Sequence, residues 1–359
     1  MTSFWKDKNV FVTGHTGFKG GWLSLWLSTL GAKVTGYALA PTTQYNLFSL
    51  AKIDSHVCSY IEDIRNLAFL KKTVVESEPA IIFHLAAQPL VRASYTYPVD
   101  TYATNVMGTV NILEAFREAK TAKVLINITT DKCYDNKEWH WGYRENDPLG
   151  GCDPYSSSKA CAELVTAAYR SSYLNPVDWP IHQKAIATVR AGNVFGGGDW
   201  SEDRLIPDVV MALLENKQPL IRHPKAVRPW QHVLEPLYGY LMLAERMWDS
   251  STYSDSWNFG PREEGCKPVE YLVRELCSGF GQQTNWVESA DASLHEATFL
   301  KLDTSKVHSR LGWRPILTLN QGLALTTDWY KAWAKGAAPF NLTLDQIAFY
   351  TTQLEREHA

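Results

Sequence analysis

A short apolar run followed by closely spaced glycines constrains the fold of this 359-residue chain more than any other feature. Residues 10–12 (VFV) are typical of a β-strand, Gly14, Gly17 and Gly20 follow in a G-x2-G-x2-G pattern, and residues 22–27 (WLSLWL) have helical spacing. Glycine at these positions lets the backbone turn tightly and approach a pyrophosphate, whose charge is stabilised by the amides at the helix N-terminus. This order of strand, turn and helix predicts a dinucleotide-binding motif.

Further apolar runs alternate with helical segments along the first half of the chain. The runs that we predict to be strands are 33–38, 80–85, 123–128 and 185–191. This alternation is typical of an α/β protein, so we predict a Rossmann-type doubly wound parallel sheet. Later runs are shorter and richer in proline and tryptophan, which indicates a smaller mixed C-terminal substrate domain. We therefore predict a nucleotide-binding domain at 1–195 and a mainly substrate-binding domain at 196–359, with segments near 230–260, including a helix at 233–248, returning to the first.

The bulk composition narrows the classes of function. A net charge of -3 and a pI near 6.4 provide no broad basic surface for nucleic acid or for an anionic membrane, so we expect a small-molecule substrate. No apolar run reaches the roughly 18 residues that a membrane span needs, and the first residues are too polar for a signal peptide. The six cysteines include no C-x2-C pair, which favours reduced thiols over a zinc site or a disulfide framework. A cytoplasmic location without a bound metal is therefore expected.

Tyr155 and Lys159 form the first candidate catalytic pair. They are one helical turn apart, so the lysine ammonium can stabilise the tyrosine phenolate and make it a usable base. Thr130, just after the run 123–128, can hydrogen-bond the same substrate hydroxyl. Hydride transfer from an alcohol carbon requires a base on the hydroxyl proton. The pair therefore predicts an oxidation that uses a nicotinamide cofactor.

Asp131 and Lys132 follow Thr130 directly. An enzyme that only oxidises an alcohol would not need this additional acidic and basic residue. Oxidation to a ketone makes the neighbouring carbon acidic, and an adjacent base and acid could then remove its proton and protonate a departing hydroxyl. The two residues therefore predict an elimination. The alternative is structural, with a salt-bridged or capping Asp131 and a solvated Lys132.

The residues that would bind the adenosine half of the cofactor leave alternatives open. Residues 36–41, at the end of the second strand, include neither an acidic residue nor an arginine, so the fingerprint does not separate NAD from NADP. Lys19 fits either a phosphate contact or a solvated charge. Asp63 follows a short β-type run and fits either a contact to the adenine amino group or a turn or helix cap.

Cations, an amide and aromatic residues collect in loops of the second half. They occur at 190–194, which includes Arg190, at Arg204, and at 227–233. Guanidinium groups match the geometry of phosphate, so this set suits a diphosphate next to a flat base. The alternative is that each arginine is an isolated surface charge.

Seven segments together resemble the extended short-chain dehydrogenase/reductase family, and within it the nucleotide-sugar 4,6-dehydratases, over nearly the whole chain. They are 13–20 (TGHTGFKG), 84–88 (HLAAQ), 129–132 (TTDK), Tyr155 with Lys159, 190–200 (RAGNVFGGGDW), 204–208 (RLIPD) and 226–233 (AVRPWQHV). Members that act on dTDP-glucose and GDP-mannose carry an Asp-Glu pair where this chain has Asp131-Lys132, and members that act on CDP-glucose have the lysine. The resemblance thus implies CDP-glucose as the substrate.

The resemblance also implies that NAD is borrowed and returned within one turnover. Tyr155 would take the proton of the sugar 4-hydroxyl as hydride leaves C4. A base would then remove the C5 proton, Asp131 would protonate the hydroxyl that leaves C6, and the hydride would return to C6. Lys132 is either the C5 base, when neutral, or a stabiliser of the enolate, when charged. The product would be a 4-dehydro-6-deoxy sugar nucleotide that feeds surface polysaccharide such as the lipopolysaccharide O-antigen.

Binding residues and assembly are further implications of the resemblance. The residues implied to hold NAD are Gly14, Gly17, Phe18, Gly20, Asp63, Ile64, Leu85, Ala86, Ala87, Thr104, Tyr155 and Lys159. The residues implied to hold the substrate are Asn193, Arg204 and Arg228, with Arg228 at the diphosphate. A homodimer or a higher homo-oligomer is implied, in which helices near 104–119 and 156–173 pair between subunits.

Two other functions remain open from the residues. A 4-epimerase, or a 4,6-dehydratase for another nucleotide sugar, would share Tyr155 and Lys159. Asp131 argues against the epimerase, because inversion at C4 needs no acid at C6. A dinucleotide-binding sensor without catalysis is the remaining alternative, and it would have no use for the combination of Thr130, Tyr155 and Lys159.

Overall fold

The computed structural model describes residues 2–289 and 297–358, which contain a large parallel sheet and two small sheets. The strands are β1 (Asn9–Thr13), β2 (Lys33–Ala38), β3 (Cys58–Ile61), β4 (Ile81–His84), β5 (Val124–Ile128), β6 (Ala185–Ala191), β7 (Asn193–Phe195), β8 (Leu220–Ile221), β9 (Val227–His232), β10 (Ser256–Phe259), β11 (Cys266–Pro268) and β12 (Val287–Glu288). Seven strands form the large sheet in the order β10-β6-β5-β4-β1-β2-β3, with every pairing parallel. The predicted doubly wound parallel sheet is confirmed.

Alternation of side chains explains why the strands read as continuous apolar runs. In β1, Val10 and Val12 lie in one apolar core and Phe11 lies in the other, because successive side chains point to opposite faces of a sheet. Both faces are buried under helices, so both sets of side chains must be apolar. β2 and β6 have the limits that the sequence predicts, and β4 and β5 are shorter at their ends.

The described residues contain fourteen α-helices, and some of them cover the two faces of the large sheet. They are α1 (Thr2–Trp5), α2 (Phe18–Thr29), α3 (Leu47–Leu50), α4 (Leu67–Ser77), α5 (Val91–Thr96), α6 (Pro98–Tyr102), α7 (Gly108–Glu118), α8 (Pro154–Ser172), α9 (Trp179–His182), α10 (Leu205–Leu214), α11 (Leu234–Asp249), α12 (Val269–Gly279), α13 (Leu319–Ala334) and α14 (Pro339–His358). Helices α2 and α11 share the core of Val10, whereas α4 and α7 share the core of Phe11. Among the helices in the described residues, none is both long and apolar enough for a membrane crossing.

Helix α2 starts directly after the glycine turn and is buried on most of its surface. Residues 20–27 are all buried, because α2 lies between the sheet and α14, with α11 alongside. The helix ends before Gly31, whose φ of +83° is the left-handed conformation that favours glycine. The predicted helical segment at 22–27 is therefore part of a longer helix.

The second half of the chain forms a smaller mixed unit that begins where β6 ends. In its three-stranded sheet, β9 pairs antiparallel with β11 and parallel with β7. β8 and β12 form the two-stranded sheet. The chain also returns to the large sheet, since β10 pairs with β6 and α11 packs on β5 and β6. The domain limits near residue 195 stay a prediction.

The strand order reverses at β1. The chain continues through β2 and β3 on one side of β1 and through β4, β5, β6 and β10 on the other. In open parallel sheets, ligands bind outside the carboxyl ends of the strands at such a reversal. The glycine turn follows β1 and residues 129–132 follow β5, so the fold places both motifs at this edge.

Candidate active site

A cavity of about 530 Å³ lies at the carboxyl ends of β1, β4 and β5. Apart from Arg190, every residue that we named as a candidate for catalysis or binding lines it. The catalytic candidates are Thr130, Asp131, Lys132, Tyr155 and Lys159; the cofactor candidates are Gly14, Gly17, Phe18, Gly20, Asp63, Ile64, Leu85, Ala86, Ala87 and Thr104; and the substrate candidates are Asn193, Arg204 and Arg228. Their individual roles stay predictions, but the fold brings them to one place.

Gly14 makes the turn between β1 and α2 possible. Its φ is +76°, and a Cβ there would lie 2.7 Å from the Ala86 nitrogen and 2.8 Å from the Leu85 carbonyl carbon. The Gly17 N–H donates to the Gly14 carbonyl oxygen at 3.1 Å, and Gly17 is the last residue before α2. The turn therefore brings the amides of a helix N-terminus to the cavity wall, where a pyrophosphate would accept hydrogen bonds.

Replacing Gly14 with alanine is expected to lower the free energy of unfolding by about 2–3 kcal/mol and to weaken dinucleotide binding, because strain adds to overlap with the backbone of residues 85 and 86. Gly336→Ala is the matched control. Gly336 has a φ of +91° with no atom within 4 Å of an added Cβ, so strain alone should cost about 1 kcal/mol. Urea unfolding and dinucleotide titration measure both effects. Unchanged dinucleotide affinity in the Gly14 variant would contradict the assigned role of the turn.

Thr13 joins the ends of β1 and β4. Its hydroxyl oxygen accepts from the backbone N–H groups of Leu85 and Ala86, each at 3.1 Å, and lies 2.7 Å from His84 Nδ1. Burial lowers the pKa of His84 to about 3, so the imidazole is neutral at physiological pH. These contacts fix the backbone of the segment that the resemblance assigns to the cofactor.

Asp63 forms a turn on the adenosine side of the cavity. Its carboxylate accepts from the Arg65 N–H at 2.8 Å and pairs with the Arg65 guanidinium at 2.6 Å. The hydrogen bond from Arg65 lowers the pKa of Asp63. The turn alternative is therefore observed, whereas Asn66 caps α4, and Asp63 also lines the cavity beside Ile64. Contact with the adenine amino group stays a prediction.

Helix α8 carries Tyr155 and Lys159 to the cavity. Asp153 caps this helix by accepting from the Ser156 N–H at 2.8 Å, and Pro154 occupies its first position. A carboxylate cap and an N-terminal proline both stabilise the start of a helix. The first turn, which contains Tyr155, is thus held in place.

Burial sets the proton affinities of the Tyr155–Lys159 pair. It raises the pKa of Tyr155 to about 12, although Arg204 and a hydrogen bond with Thr130 act in the opposite direction. Burial also lowers the pKa of Lys159 to about 8, and its Nζ donates to the Ile128 carbonyl oxygen at 3.2 Å. The sequence led us to expect a lowered pKa for Tyr155, but the loss of solvation outweighs the nearby cations.

Asp131 is a buried carboxyl group with one unpaired oxygen. The Thr130 hydroxyl donates to Oδ1 at 3.1 Å, while Oδ2 is buried and has no hydrogen-bond partner in the described part of the chain. Burial raises the pKa of Asp131, and Lys132 and the Thr130 hydrogen bond oppose this rise. A carboxyl group with a raised pKa can hold a proton and release it to a leaving group.

Lys19 faces the same cavity, so it is not simply a solvated charge. Burial lowers the pKa of Lys19 to about 7, and the nearby cations Arg204 and Lys159 act in the same direction. Asp131 opposes this shift. Near neutral pH the amine is therefore divided between its charged and neutral forms.

The substrate candidates lie on the wall built by the second half of the chain. Asn193 in β7 pairs in register with Trp230 in β9. Arg228, also in β9, is mostly buried; its guanidinium donates to the carbonyl oxygens of Val227, at 3.0 Å, and Ala297. Arg204 precedes α10 and influences the pKa of Tyr155. Cations therefore face the catalytic pair from the opposite wall.

Arg190 does not line the cavity. Its guanidinium forms an ion pair with Glu163, with Nη2 to Oε2 at 2.8 Å and Nε to Oε1 at 2.9 Å, and both side chains are only 3% exposed. Thr129 and Thr188 also donate to this carboxylate. Our expectation that Arg190 helps to hold a diphosphate is wrong, because the residue instead ties α8 to β6.

Replacing Glu163 with glutamine is expected to lower the free energy of unfolding by about 3–5 kcal/mol, because the charge of Arg190 would remain buried without its partner. Glu76→Gln is the matched control. Glu76 lies 3.9 Å from Lys72 on the exposed face of α4, and such a surface pair contributes about 0–1 kcal/mol. Urea denaturation at neutral pH measures both variants. Equal losses in the two would contradict a structural role for the buried pair.

The cavity wall contains further charged residues that we did not predict as site residues from the sequence. Asp203 has a left-handed φ of +58° and pairs with Arg222 at 3.0 Å and with Arg92 at 3.7 Å. Asp208 lies on the same wall. Asp208 ends a motif that we had noted for its resemblance, whereas no pattern around Arg222 or Arg92 signals a site.

Comparison with known proteins agrees with this arrangement. The chain matches the family model described as GDP-mannose 4,6 dehydratase over residues 11–326. It is 49% identical over 355 residues to the CDP-glucose 4,6-dehydratase of Salmonella typhimurium, with 99% of each chain covered.

Solved structures show the same fold. A dTDP-glucose 4,6-dehydratase from Bacillus anthracis in complex with NAD gives a TM-score of 0.77 at 23% identity, with 93% of this chain and 99% of that chain covered. A UDP-glucose 4-epimerase from Thermotoga maritima with UDP-glucose gives a TM-score of 0.79 at 20% identity, with 90% and 99% covered. These structural similarities establish the fold, and the matches in sequence establish the family. The chain belongs to the GDP-mannose 4,6 dehydratase family.

Proposed function

We propose that this protein is a nucleotide-sugar 4,6-dehydratase, a hydro-lyase that uses NAD to convert CDP-D-glucose into CDP-4-dehydro-6-deoxy-D-glucose. The observation that carries the proposal is that the glycine turn, Tyr155 with Lys159, and Asp131 with Lys132 line one cavity. The first pair suits the oxidation of an alcohol and the second suits an elimination. We choose CDP-glucose because the Salmonella relative, 49% identical, is named for it.

The residues at the glycine turn fit a dinucleotide. A Cβ at Gly14 would overlap the backbone of residues 85 and 86, so only glycine allows this close turn, and the first turn of α2 borders the cavity. The residues proposed to hold NAD are those of this turn with Asp63, Ile64, Leu85, Ala86, Ala87, Thr104, Tyr155 and Lys159. When bound, NAD would accept a hydride from the sugar and return it, and the positive charge of its oxidised form would favour the phenolate of Tyr155.

Tyr155 takes the proton of the sugar 4-hydroxyl in this proposal. Thr130 is hydrogen-bonded to Tyr155 and can align the same hydroxyl. Arg204 lowers the pKa of the phenol from the opposite wall, while Lys159, with a pKa of about 8, can take up or release a proton behind it. The protein thus surrounds one hydroxyl with a base and its supporting cations.

Asp131 acts as the acid of the elimination. Its burial and raised pKa favour the protonated form, and its buried, unpaired Oδ2 can deliver the proton to the hydroxyl that leaves C6. Lys132 lies next to it on the cavity wall. Lys132 removes the C5 proton when neutral or stabilises the enolate when charged, and both roles remain compatible with its position.

The substrate diphosphate is assigned to the wall opposite the catalytic pair. Arg228 and Arg204 supply two guanidinium groups there, and Asn193 adds an amide donor. Arg228 is only 8% exposed and is already fixed through two backbone carbonyl oxygens. A guanidinium that is held in place loses little entropy when it binds a phosphate.

Turnover assays with a panel of nucleotide sugars test the proposal. The purified protein is incubated with CDP-glucose, dTDP-glucose, UDP-glucose and GDP-mannose, and the alkali-induced ultraviolet absorbance of a 4-keto-6-deoxy sugar is followed. We expect product from CDP-glucose, without net formation of reduced cofactor. Product from another sugar alone would overturn the substrate, and C4 epimers without any keto sugar would favour a 4-epimerase.

We further propose a homodimer located in the cytoplasm. Large apolar side chains on α8 and on the segment from α6 to α7 are solvent-exposed, among them Leu164 (58%), Val99 (78%) and Met107 (52%). Large apolar side chains that are exposed on neighbouring helices are typical of a subunit interface. The six cysteines are all free thiols, which supports a reducing compartment.

Sedimentation equilibrium tests the homodimer. Leu164→Asp is expected to halve the measured mass at micromolar protein, because an aspartate would be buried in the interface without a partner. Val177→Asp is the control. Val177 is 84% exposed and lies outside these helices, so its substitution should leave the mass unchanged. A monomeric wild-type protein would contradict the proposal.

A further inference from the structure

Helix α10 extends one wall of the cavity beyond the catalytic pair. Arg204, which precedes the helix, accepts the Asp208 N–H through its carbonyl oxygen at 3.0 Å, so the two residues are one helical turn apart. Both side chains line the cavity, as do residues 220–223 on the neighbouring segment. Arg204 lowers the pKa of Tyr155 and therefore lies near the reacting sugar. Asp208 lies about 6 Å further along the helix axis, at the end of this wall that is remote from the sugar.

Asp208 presents an unpaired carboxylate to this end of the cavity. Its side chain borders the cavity, is partly exposed, and makes neither an ion pair nor a hydrogen bond with the residues that the structure describes. Partial burial of the carboxyl group against the cavity wall raises the pKa of Asp208 to about 6, which Arg222 opposes and Asp203 reinforces. At neutral pH the carboxylate is therefore mainly ionised and acts as a hydrogen-bond acceptor.

Arg222 is fixed next to this carboxylate. Its guanidinium pairs with Asp203 at 3.0 Å and also reaches the Asp203 backbone oxygen at 3.4 Å. Asp203 holds a left-handed backbone conformation, which is uncommon for a residue other than glycine. The cation that favours ionised Asp208 is thus held in place by the loop that precedes α10.

The three pyrimidine nucleotides differ in the group that they would present to a carboxylate. Cytosine carries a 4-amino group, which donates, whereas uracil and thymine carry a 4-oxo group, which only accepts. An ionised carboxylate therefore pairs with cytosine and repels the other two. A polar group left unpaired against the wrong base gives strong discrimination.

We propose that Asp208 selects cytosine over uracil and thymine by accepting a hydrogen bond from the 4-amino group of the substrate nucleotide. This inference rests on the proposed function, because it assumes a nucleotide sugar that is turned over next to Tyr155. Arg222 is a positioning residue that keeps Asp208 ionised. The role of Asp208 is in binding, so the chemical steps should not depend on it.

Asp208→Asn is the direct test, because the amide removes the negative charge and puts a donor in place of one carboxylate oxygen, so that the side chain can also pair with a 4-oxo group. We expect KM for CDP-glucose to rise about 10- to 100-fold with kcat within about twofold of wild type. The preference for CDP-glucose over UDP-glucose should fall by at least the same factor. Glu202→Gln is the matched control, since Glu202 is on the same loop but does not line the cavity, and it should keep the wild-type preference.

Binding of the nucleotides alone separates this inference from the proposed function. Calorimetric titration with CDP, UDP, dTDP and GDP needs no turnover and is carried out on wild type and on the Asp208 variant. A wild-type preference for CDP that is lost in Asp208→Asn supports the inference even if CDP-glucose is not turned over. Turnover of CDP-glucose with an unchanged KM and an unchanged CDP preference in the variant overturns the inference and leaves the proposed function intact. A wild-type preference for GDP would also overturn it.

Discussion

Replacing Tyr155 with phenylalanine is expected to lower kcat with CDP-glucose about 1,000-fold, because it removes the only group assigned to take the proton of the 4-hydroxyl. The substitution deletes one oxygen and keeps the ring that packs in the buried first turn of α8. KM should change little, since the diphosphate contacts are assigned to the other wall. Steady-state formation of the 4-keto product measures the effect.

Tyr169→Phe is the matched control for this experiment. Tyr169 is on the same helix, but its hydroxyl donates to Glu114 at 2.8 Å and does not face the cavity. Its loss should leave kcat within about twofold and cost about 1 kcal/mol of unfolding free energy. Normal turnover by the Tyr155 variant would remove Tyr155 from the mechanism.

Replacing Asp131 with asparagine is expected to slow product formation about 100-fold while slowing the first oxidation much less. Asparagine keeps the size of the side chain and an acceptor for the Thr130 hydroxyl, but it has no acidic proton for the leaving hydroxyl. Reduced cofactor should therefore accumulate on the enzyme after CDP-glucose is mixed with it. Stopped-flow absorbance of the reduced nicotinamide separates the two steps.

The control for the Asp131 variant is Asp135→Asn. Asp135 is four residues further along, pairs with Lys137 at 2.9 Å on the surface and does not line the cavity. It should show wild-type kinetics. If Asp131→Asn slows oxidation and elimination equally, the residue positions the substrate and is not the acid of the elimination.

Local patterns in the sequence account for much of the large sheet. β2 and β6 were predicted with their observed limits, because both are short runs with β-type residues and each has a glycine or proline close to its end. The small sheets could not be predicted, because β7 and β11 are three residues long and form only through pairing with β9, far away in sequence. The position of β10 beside β6 is likewise a long-range pairing that no local pattern specifies.

The candidate site likewise combines features that local sequence patterns predict with features that depend on tertiary packing. Gly14 and the Tyr155–Lys159 pair follow local rules of turn and helix spacing, and the fold brings them into one cavity as expected. The burial that raises the pKa of Tyr155 depends on tertiary packing and was not visible in the sequence. Arg190 shows the same limit, because its partner Glu163 is on another element and turns a candidate phosphate contact into a buried ion pair.

Transfer of a label from C4 to C6 of the sugar tests the central claim most directly. CDP-glucose with deuterium at C4 is converted by the enzyme, and the product is examined by proton magnetic resonance and mass spectrometry. An internal redox cycle that ends in dehydration predicts deuterium at C6 of the 4-keto-6-deoxy sugar, with no reduced cofactor released. A product without deuterium at C6, or deuterium found in free reduced cofactor, would contradict the account.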